Sequence, residues 1–230
     1  MLPGAAAHVF VADLAQPELA DDDRHHLERV LRLRAGEAVT ASDGCGGWRL
    51  CRYEGAGRVS PVGEPSASPR PSPAVGVAFA LVKGDRPEWA VQKLAEAGVD
   101  HIMPITTERC VVQWAGEKGV RHVARLRALA VAAARQSRQV WLPSVHEVQP
   151  LAVVVGAAGP VALAQMGGSP LSLAVPTILV GPEGGWAPAE LDLALARVSL
   201  GPTVLRAETA AVAAGVLLCA LRAGIVRPVT

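Results

Sequence analysis

The sequence predicts an α/β protein in two parts: a small β-barrel, then a domain with a mainly parallel sheet and helices on both faces. Residues 1–64 contain short strand patterns separated by tight turns, as in small barrels. From Val75 onward, strand patterns alternate with helix patterns, which is typical of a parallel sheet covered on both sides. The proline-rich stretch Glu64–Ala74 (EPSASPRPSPA) predicts an extended linker. We therefore predict domains of residues 1–70 and 71–230.

The composition limits the class of protein. Half of the residues are hydrophobic but only 3% are aromatic, so the core must consist mainly of Ala, Val and Leu. The sequence has no run of about 18 uninterrupted apolar residues, the length that a transmembrane helix needs. Met1–Gly4 lacks the charged and apolar regions of a secretory signal. We expect a cytoplasmic protein that does not bind a membrane.

Cap and turn residues define the elements of the first part. The acidic run 21–23 offers an N-cap and first-turn acids for a short helix that reaches Leu31. The segment 43–47 (DGCGG) provides the turn of a hairpin. The predicted strands are His8–Ala12, Glu37–Ser42, Trp48–Tyr53 and Arg58–Val62.

The second part is organised by helix caps and buried strands. Asp85 caps a helix that has Pro87 in its first turn and ends at Gly98. The helix Thr209–Arg222 is apolar around its circumference, so we expect it to be buried on all sides, partly against a second subunit. The other predicted helices are Gly119–Gln139 and Pro188–Val198, and the predicted strands are Val75–Val82, His101–Ile105, Val161–Gln165, Thr177–Val180 and Thr203–Arg206.

Two basic segments stand out against a formal net charge of only +1. Arg24–Arg34 holds four arginines and one glutamate, and Arg121–Arg138 holds five arginines and no acid. Local fields of this kind attract a polyanion whatever the total charge. The arginines of the first segment form either a solvated helix edge or an RNA-contacting face.

Two short stretches carry most of the functional signal: Leu179–Gly185 (LVGPEGG) and Leu205–Ala211 (LRAETAA). Each is predicted to follow or end a strand, and three glycines in the first allow a ligand to approach the backbone closely. Gly185 is followed by Trp186 rather than by Lys and Ser or Thr, which excludes a phosphate-binding loop of the Walker type. No GxGxxG pattern follows the first strand, and the histidines and cysteines lack metal-ligand spacing. The loop is then either a cradle for a small, mostly uncharged ligand or a tight turn.

The chain resembles the bacterial 16S ribosomal RNA uracil-N3 methyltransferases of the SPOUT class. The resemblance is carried, in order, by His25–Gly44 (HHLERVLRLRAGEAVTASDG), Lys83–Trp114, Ala134–Arg138 (ARQSR), Leu179–Leu191 (LVGPEGGWAPAEL) and Leu200–Ala211 (LGPTVLRAETAA). It implies a PUA-like RNA-binding barrel, a methyltransferase domain with a C-terminal trefoil knot, and a homodimer. It also implies S-adenosylmethionine as cofactor, no metal, and N3 of a uridine in 16S ribosomal RNA of the small subunit as the methylated atom.

The resemblance further implies roles for individual residues. We expect Arg206 to stabilise negative charge on the uracil or a phosphate; the alternative is an ion pair with Glu208, itself a second catalytic candidate. The expected cofactor-binding residues are Leu179, Gly181, Pro182, Glu183, Gly184, Gly185, Leu205, Arg206, Thr209 and Ala210. The expected RNA-binding residues are Arg24, Arg29, Arg32, Arg34, Arg109 and Gln136.

The chain departs from the family pattern at a few positions. Ala187 stands where Ser or Thr usually caps a helix, Thr203 where Arg is frequent, and Arg135 where Glu is usual. Met1–Val11 also lacks an arginine that is common near the family's N-terminus. Two alternatives stay open: another SPOUT enzyme that modifies a different base or transfer RNA, and a non-catalytic RNA-binding protein that has kept the fold.

Overall fold

A computed structural model describes residues 4–193 and 195–227, so that residues 1–3 of the predicted first domain and 228–230 of the second lie outside the described residues. The chain forms two compact units. The first extends to Arg70 and also includes Ala134–Leu142, whereas the second comprises Pro71–Ala133 and the residues from Pro143 onward. The segment Ala134–Leu142 therefore clusters with the first unit, although its sequence position lies within the second.

The first unit is built on a four-stranded sheet in the order β1-β2-β3-β4. β1 pairs in parallel with β2, and the other pairs are antiparallel. A short helix and a π-helical segment cover a core that includes Leu27, Val39 and Tyr53. The strands are β1 (Ala7–Phe10), β2 (Ala38–Ser42), β3 (Gly47–Gly55) and β4 (Arg58–Ala67); the helix α1 is Asp21–His25 and the π-helical segment is His26–Val30.

β4 is longer than the sequence predicts. It continues past Val62 to Ala67 and so includes Pro65, which the sequence places in the linker. Proline lacks the N–H that a central strand must donate, but β4 lies at the edge of its sheet and tolerates it. The extended linker is thus shorter than predicted, because its first residues pair with β3.

The second unit contains a parallel sheet in the order β11-β9-β10-β5-β6-β7, with β8 also paired to β6. This confirms the predicted mainly parallel sheet. The strands are β5 (Gly76–Ala80), β6 (His101–Thr106), β7 (Ser144–Val145), β8 (Gln149–Pro150), β9 (Val161–Ser169), β10 (Thr177–Val180) and β11 (Ala196–Val198). The helices are α2 (Arg86–Ala97), α3 (Gly116–Gln136), α4 (Leu151–Ala157), α5 (Pro188–Leu191) and α6 (Ala207–Arg222).

Both faces of this sheet are covered. Val77 and Phe79 of β5 pack into a core with residues of α2 and α6, whereas Ala78 between them belongs to a second core that contains Leu151 and Trp186. This alternation is expected of a strand that is buried on both sides. Among the described residues, no helix is long and apolar enough to cross a membrane.

Two further predicted elements differ in type from the structure. The helix predicted over Pro188–Val198 ends at Leu191, and Ala196–Val198 forms an edge strand because it pairs with β9. The strand predicted over Thr203–Arg206 is irregular chain that leads into α6. One face of α6 is buried within this chain, and Val216 on another face is 47% exposed. The expected burial of that other face against a second subunit stays a prediction.

Candidate cofactor-binding site

A cavity of about 360 Å³ lies in the second unit, beyond the end of β10 and against β9. The carboxyl ends of parallel strands are where open α/β sheets bind ligands. Three segments form its wall: residues 164–166 of β9, the loop 180–186 after β10, and the irregular chain between residues 199 and 205 with the first turn of α6. The structure thus brings the GPEGG and LRAETAA stretches together at one cavity.

Six of the ten expected cofactor-binding residues line this cavity, and four do not. Leu179 is fully buried within β10, and Thr209 is exposed on α6. Gly184 lies against Arg109 instead, and Arg206 is the exposed N-cap residue of α6. The residues that line the cavity are Gly181, Pro182, Glu183, Gly185, Leu205 and Ala210.

The geometry of the loop constrains two of its glycines. A Cβ atom on Gly181 would lie 3.0 Å from Cε2 of the Trp186 ring, which is tighter than ordinary packing allows. Gly185 has φ of 70°, in the left-handed region that disfavours other residues. Gly184 is under less constraint, because the nearest atom to a Cβ there is Cβ of Arg109 at 3.5 Å.

Trp186 fixes the end of the loop to β9. The residue is 8% exposed, and its Nε1 donates a hydrogen bond to the carbonyl oxygen of Ala164 at 3.2 Å. The sequence singled out Trp186 only as the residue that excludes a Walker loop. Its role in shaping the cavity depends on β9, which is distant in sequence.

Glu190 supplies the glutamate half of a capping box at the start of α5. Its Oε2 accepts a hydrogen bond from the Ala187 backbone N–H at 2.8 Å, and its Oε1 accepts one from the N–H of Glu108 at 2.8 Å. The carboxylate lies in the first turn of α5, where the helix dipole also favours a negative charge. The Glu190 carboxylate therefore supports both the start of α5 and the loop after β6.

An ion-pair network connects the two loops of the cavity through a residue that the sequence did not single out. Nη1 of Arg86 lies 2.7 Å from Oε1 of Glu183, and its Nε lies 3.9 Å from Oε1 of Glu208. The Glu208 side chain is only 11% exposed, and its Oε2 has no hydrogen-bond partner among the described residues. The alternative of an Arg206–Glu208 ion pair is wrong, because Glu208 faces Arg86.

Arg109 supports the same loop. Its Nη1 donates a hydrogen bond to the carbonyl oxygen of Gly184 at 2.9 Å. The segment that contains Arg86 and Arg109 is Lys83–Trp114, one of those that carry the family resemblance. A search for charged residues near the ends of β5 and β6 would have found both, since β5 lies next to β10 in the sheet and β6 lies next to β5.

The first basic segment remains available for an anionic partner. Arg29, Arg32 and Arg34 are exposed, and Arg32 has a positive φ of 52°. Arg24 lies 3.6 Å from Asp21, and its Nε donates to the carbonyl oxygen of Leu19.

The second basic segment is more neutral than its sequence suggests. Four of its five arginines lie within 4.0 Å of a carboxylate that belongs to a residue outside the segment. Arg135, a departure from the family pattern, lies 2.9 Å from Asp23 in the first unit. Gln136 is exposed in the last turn of α3. The four pairs are Arg121–Glu117, Arg125–Glu88, Arg127–Glu147 and Arg135–Asp23.

Comparison with known proteins gives consistent matches. The RNA methyltransferase domain family matches residues 69–218, and the RNA methyltransferase PUA domain family matches residues 19–61. The chain is 36% identical over 221 residues to ribosomal RNA small subunit methyltransferase E of Mycobacterium bovis, a match that covers 84% of this chain and 82% of that protein.

Solved structures give the same result. A Legionella pneumophila protein in complex with bound SAM is similar with a TM-score of 0.78 at 27% identity, over 93% of this chain and 97% of that one. Ribosomal RNA small subunit methyltransferase E from Neisseria gonorrhoeae, bound to S-adenosyl methionine, is similar with a TM-score of 0.73 at 25% identity, over 94% and 97%.

Proposed function

This chain belongs to the RNA methyltransferase family that includes ribosomal RNA small subunit methyltransferase E, and on that premise we propose that it transfers a methyl group from S-adenosylmethionine to N3 of a uridine in 16S ribosomal RNA. Family membership confirms the resemblance of the sequence. The observation that carries the proposal is the cavity that the GPEGG loop and the start of α6 form together. The base and the atom that receive the methyl group belong to the proposal.

The cavity has the properties that an adenosine-containing cofactor needs. Apolar side chains such as Leu200 and Leu205 provide surfaces for the adenine ring, and the glycines at 181 and 185 leave backbone groups accessible. Glu183 and Gln165 supply polar groups at the same cavity. We propose that these residues hold S-adenosylmethionine, which when bound supplies an electrophilic methyl group on a positively charged sulfur.

We assign Arg206 to charge stabilisation at the acceptor. Methyl transfer requires N3 of the uracil in its deprotonated form, so a negative charge spreads over the ring. Arg206 lies between two cavity-lining residues, Leu205 and Ala207, and has no ion-pair partner among the described residues. An arginine in this position supplies a permanent positive charge. The contact of Glu208 with Arg86 favours a positioning role for Glu208.

We propose that the first unit binds the RNA. The exposed arginines Arg29, Arg32 and Arg34, with Arg24, supply the phosphate contacts that such binding needs. Arg109 and Gln136 are further candidates for RNA contact, although Arg109 also holds the carbonyl of Gly184. The assignment of residues 1–70 to a PUA-like barrel and of 71–230 to a knotted methyltransferase domain remains part of this proposal.

We propose further that the protein is a cytoplasmic homodimer. Partial exposure of the apolar helix α6, with Val216 47% exposed, supports a second subunit that covers this face. Light scattering coupled to size-exclusion chromatography measures the mass directly. A mass of about one chain, at concentrations up to tens of micromolar, would exclude the dimer.

A methylation assay tests the function. The protein is incubated with S-adenosylmethionine that carries a labelled methyl group and, in separate reactions, with small ribosomal subunits, free 16S RNA or transfer RNA. A methyl group on N3 blocks Watson–Crick pairing, so reverse transcription stops at the modified base and locates it. We expect label in small-subunit RNA and one new stop at a uridine. Label in transfer RNA would favour a SPOUT enzyme with a different substrate. If the protein neither binds the cofactor nor methylates any of these RNAs, a non-catalytic RNA-binding protein would be favoured.

A further inference from the structure

The amide oxygen of Gln165 is buried and has no hydrogen-bond partner among the described residues. Its Oε1 accepts no hydrogen bond from any residue that the structure describes. Buried acceptors are nearly always paired in native proteins, because an unpaired one loses its hydrogen bonds to water without replacement. Gln165 also lines the cavity. An unpaired polar group in the wall of a cavity indicates that a ligand supplies the partner.

Residues 164–168 of β9 form an excursion from the regular strand pairing. Leu163 pairs with Arg197 of β11, but the next pair is Ser169 with Val198, so residues 164–168 lie outside the ladder. Irregularities of this type re-aim side chains beside binding sites. This one presents residues 164–166 to the cavity.

Two glycines make this excursion possible. Gly167 has φ of 74°, and a Cβ on Gly168 would lie 2.7 Å from backbone atoms of Arg197 and Val198. The close approach at Gly168 leaves no room for a side chain, because the backbone of β11 cannot move away as a flexible side chain could. These two glycines thus fix the carboxyl end of the excursion, and the excursion holds Gln165 at the cavity.

We propose that Gln165 is a cofactor-binding residue whose side-chain oxygen accepts a hydrogen bond from an N–H or O–H group of the cofactor. The proposal rests on the proposed function, because it requires that S-adenosylmethionine occupies this cavity. The terminal torsion of a glutamine side chain has a broad preference, so a small rotation turns the oxygen toward the cavity. S-adenosylmethionine offers three donors: the adenine amino group, the ribose hydroxyls and the α-ammonium group.

Titration calorimetry with S-adenosylmethionine tests the proposal without an activity assay. Gln165→Leu and Gln165→Met remove the acceptor at similar volume, and Gln92→Leu on the exposed surface of α2 is the matched control. We expect both Gln165 variants to bind about tenfold more weakly, the loss expected for one hydrogen bond, and the control to bind like the native protein. Without ligand, the unfolding temperature of the Gln165 variants should not fall, because the oxygen has no partner within the described chain.

Two analogues identify the donor. 5′-Methylthioadenosine lacks the amino acid part, and a second analogue carries oxygen in place of the adenine amino group. If an analogue binds the native protein and Gln165→Leu with equal affinity, the group missing from that analogue is the donor to Gln165. If both analogues bind Gln165→Leu about tenfold more weakly than the native protein, the donor is a ribose hydroxyl. Native protein and both Gln165 variants binding S-adenosylmethionine within twofold of one another would overturn the inference. No binding to the native protein would instead refute the proposed function.

Discussion

The guanidinium of Arg86 lies 2.7 Å from the carboxylate of Glu183 and also approaches Glu208 at 3.9 Å. Glu183 belongs to the GPEGG loop and Glu208 to the first turn of α6, so one side chain at the start of α2 contacts both walls of the cavity. The Arg86 side chain is 39% exposed and that of Glu183 is 47% exposed, which limits the contribution of their pair to overall stability. We therefore expect this pair to affect mainly the affinity of the cavity for S-adenosylmethionine.

Arg86→Gln should weaken S-adenosylmethionine binding by roughly two- to fivefold, the effect of losing about 0.5–1 kcal/mol from a partly exposed ion pair. The loss of the Arg86–Glu183 pair alone should change the free energy of unfolding by less than about 1 kcal/mol for the same reason. Calorimetry and urea denaturation measure the two quantities. Lys93→Gln, which removes a Lys93–Glu96 pair from the same helix, is the control and should leave the affinity unchanged. An Arg86→Gln protein with native affinity at low salt would show that the network does not position the loops.

Gly181→Ala should reduce cofactor affinity by roughly tenfold or more, because the added methyl group must displace the Trp186 ring that lines the cavity. Gly184→Ala is the matched control in the same loop, since its methyl group meets Arg109 only at an ordinary 3.5 Å. Both are measured by calorimetry with S-adenosylmethionine, after circular dichroism has established that the variants fold. Equal affinities for the two variants would contradict the assigned packing of Trp186.

Arg206→Ala should lower kcat by roughly a hundredfold, the effect of removing one group that stabilises developing negative charge. Affinity for S-adenosylmethionine should stay close to native, because Arg206 itself does not line the cavity. Arg206→Lys keeps the charge without the planar guanidinium and should give an intermediate rate. Arg197→Ala on the exposed part of β11 is a control for the loss of an arginine. If Arg206→Ala turns over at a near-native rate, the role of Arg206 is structural only.

His8 should make the stability of the protein depend on pH. Burial lowers the pKa of His8 from 6.5 to about 4, and the positive charges of Arg138 and Arg135 act in the same direction against a hydrogen bond to the Gln139 carbonyl. The ring also contacts Thr40 Oγ1 at 2.8 Å. The folded state therefore binds fewer protons than the unfolded state between about pH 6.5 and 4, and stability falls as pH falls through this window.

The loss assigned to His8 amounts to at most about 3 kcal/mol once the pH is below 4. Urea denaturation at several pH values measures it, with His8→Gln as a comparison that cannot titrate. The native protein should lose more stability than His8→Gln between pH 6.5 and 4. Parallel curves for the two proteins would mean that His8 is not held neutral in the folded state.

Much of the fold follows from local sequence. Gly98, with φ of 87°, ends α2 where the sequence predicts it, and the apolar run at β10 has the predicted bounds Thr177–Val180. These features depend on residues that are neighbours along the chain, so periodicity and caps suffice to locate them. The edge strand Ala196–Val198 was missed because it forms only by pairing with β9, and its short sequence continues a helical pattern.

The candidate site, like the fold, was only partly predictable from the sequence. By itself, the sequence identified the GPEGG and LRAETAA stretches as the candidate site, because glycine content and motif order are properties of the chain. Only the tertiary structure decided that Glu208 faces Arg86 rather than Arg206, that four arginines of the second basic segment have acidic partners, and that the excursion in β9 brings Gln165 to the cavity. The reason is physical: ion pairs and cavity walls depend on distances of a few ångströms between residues far apart in sequence, and such distances exist only after the sheet has formed.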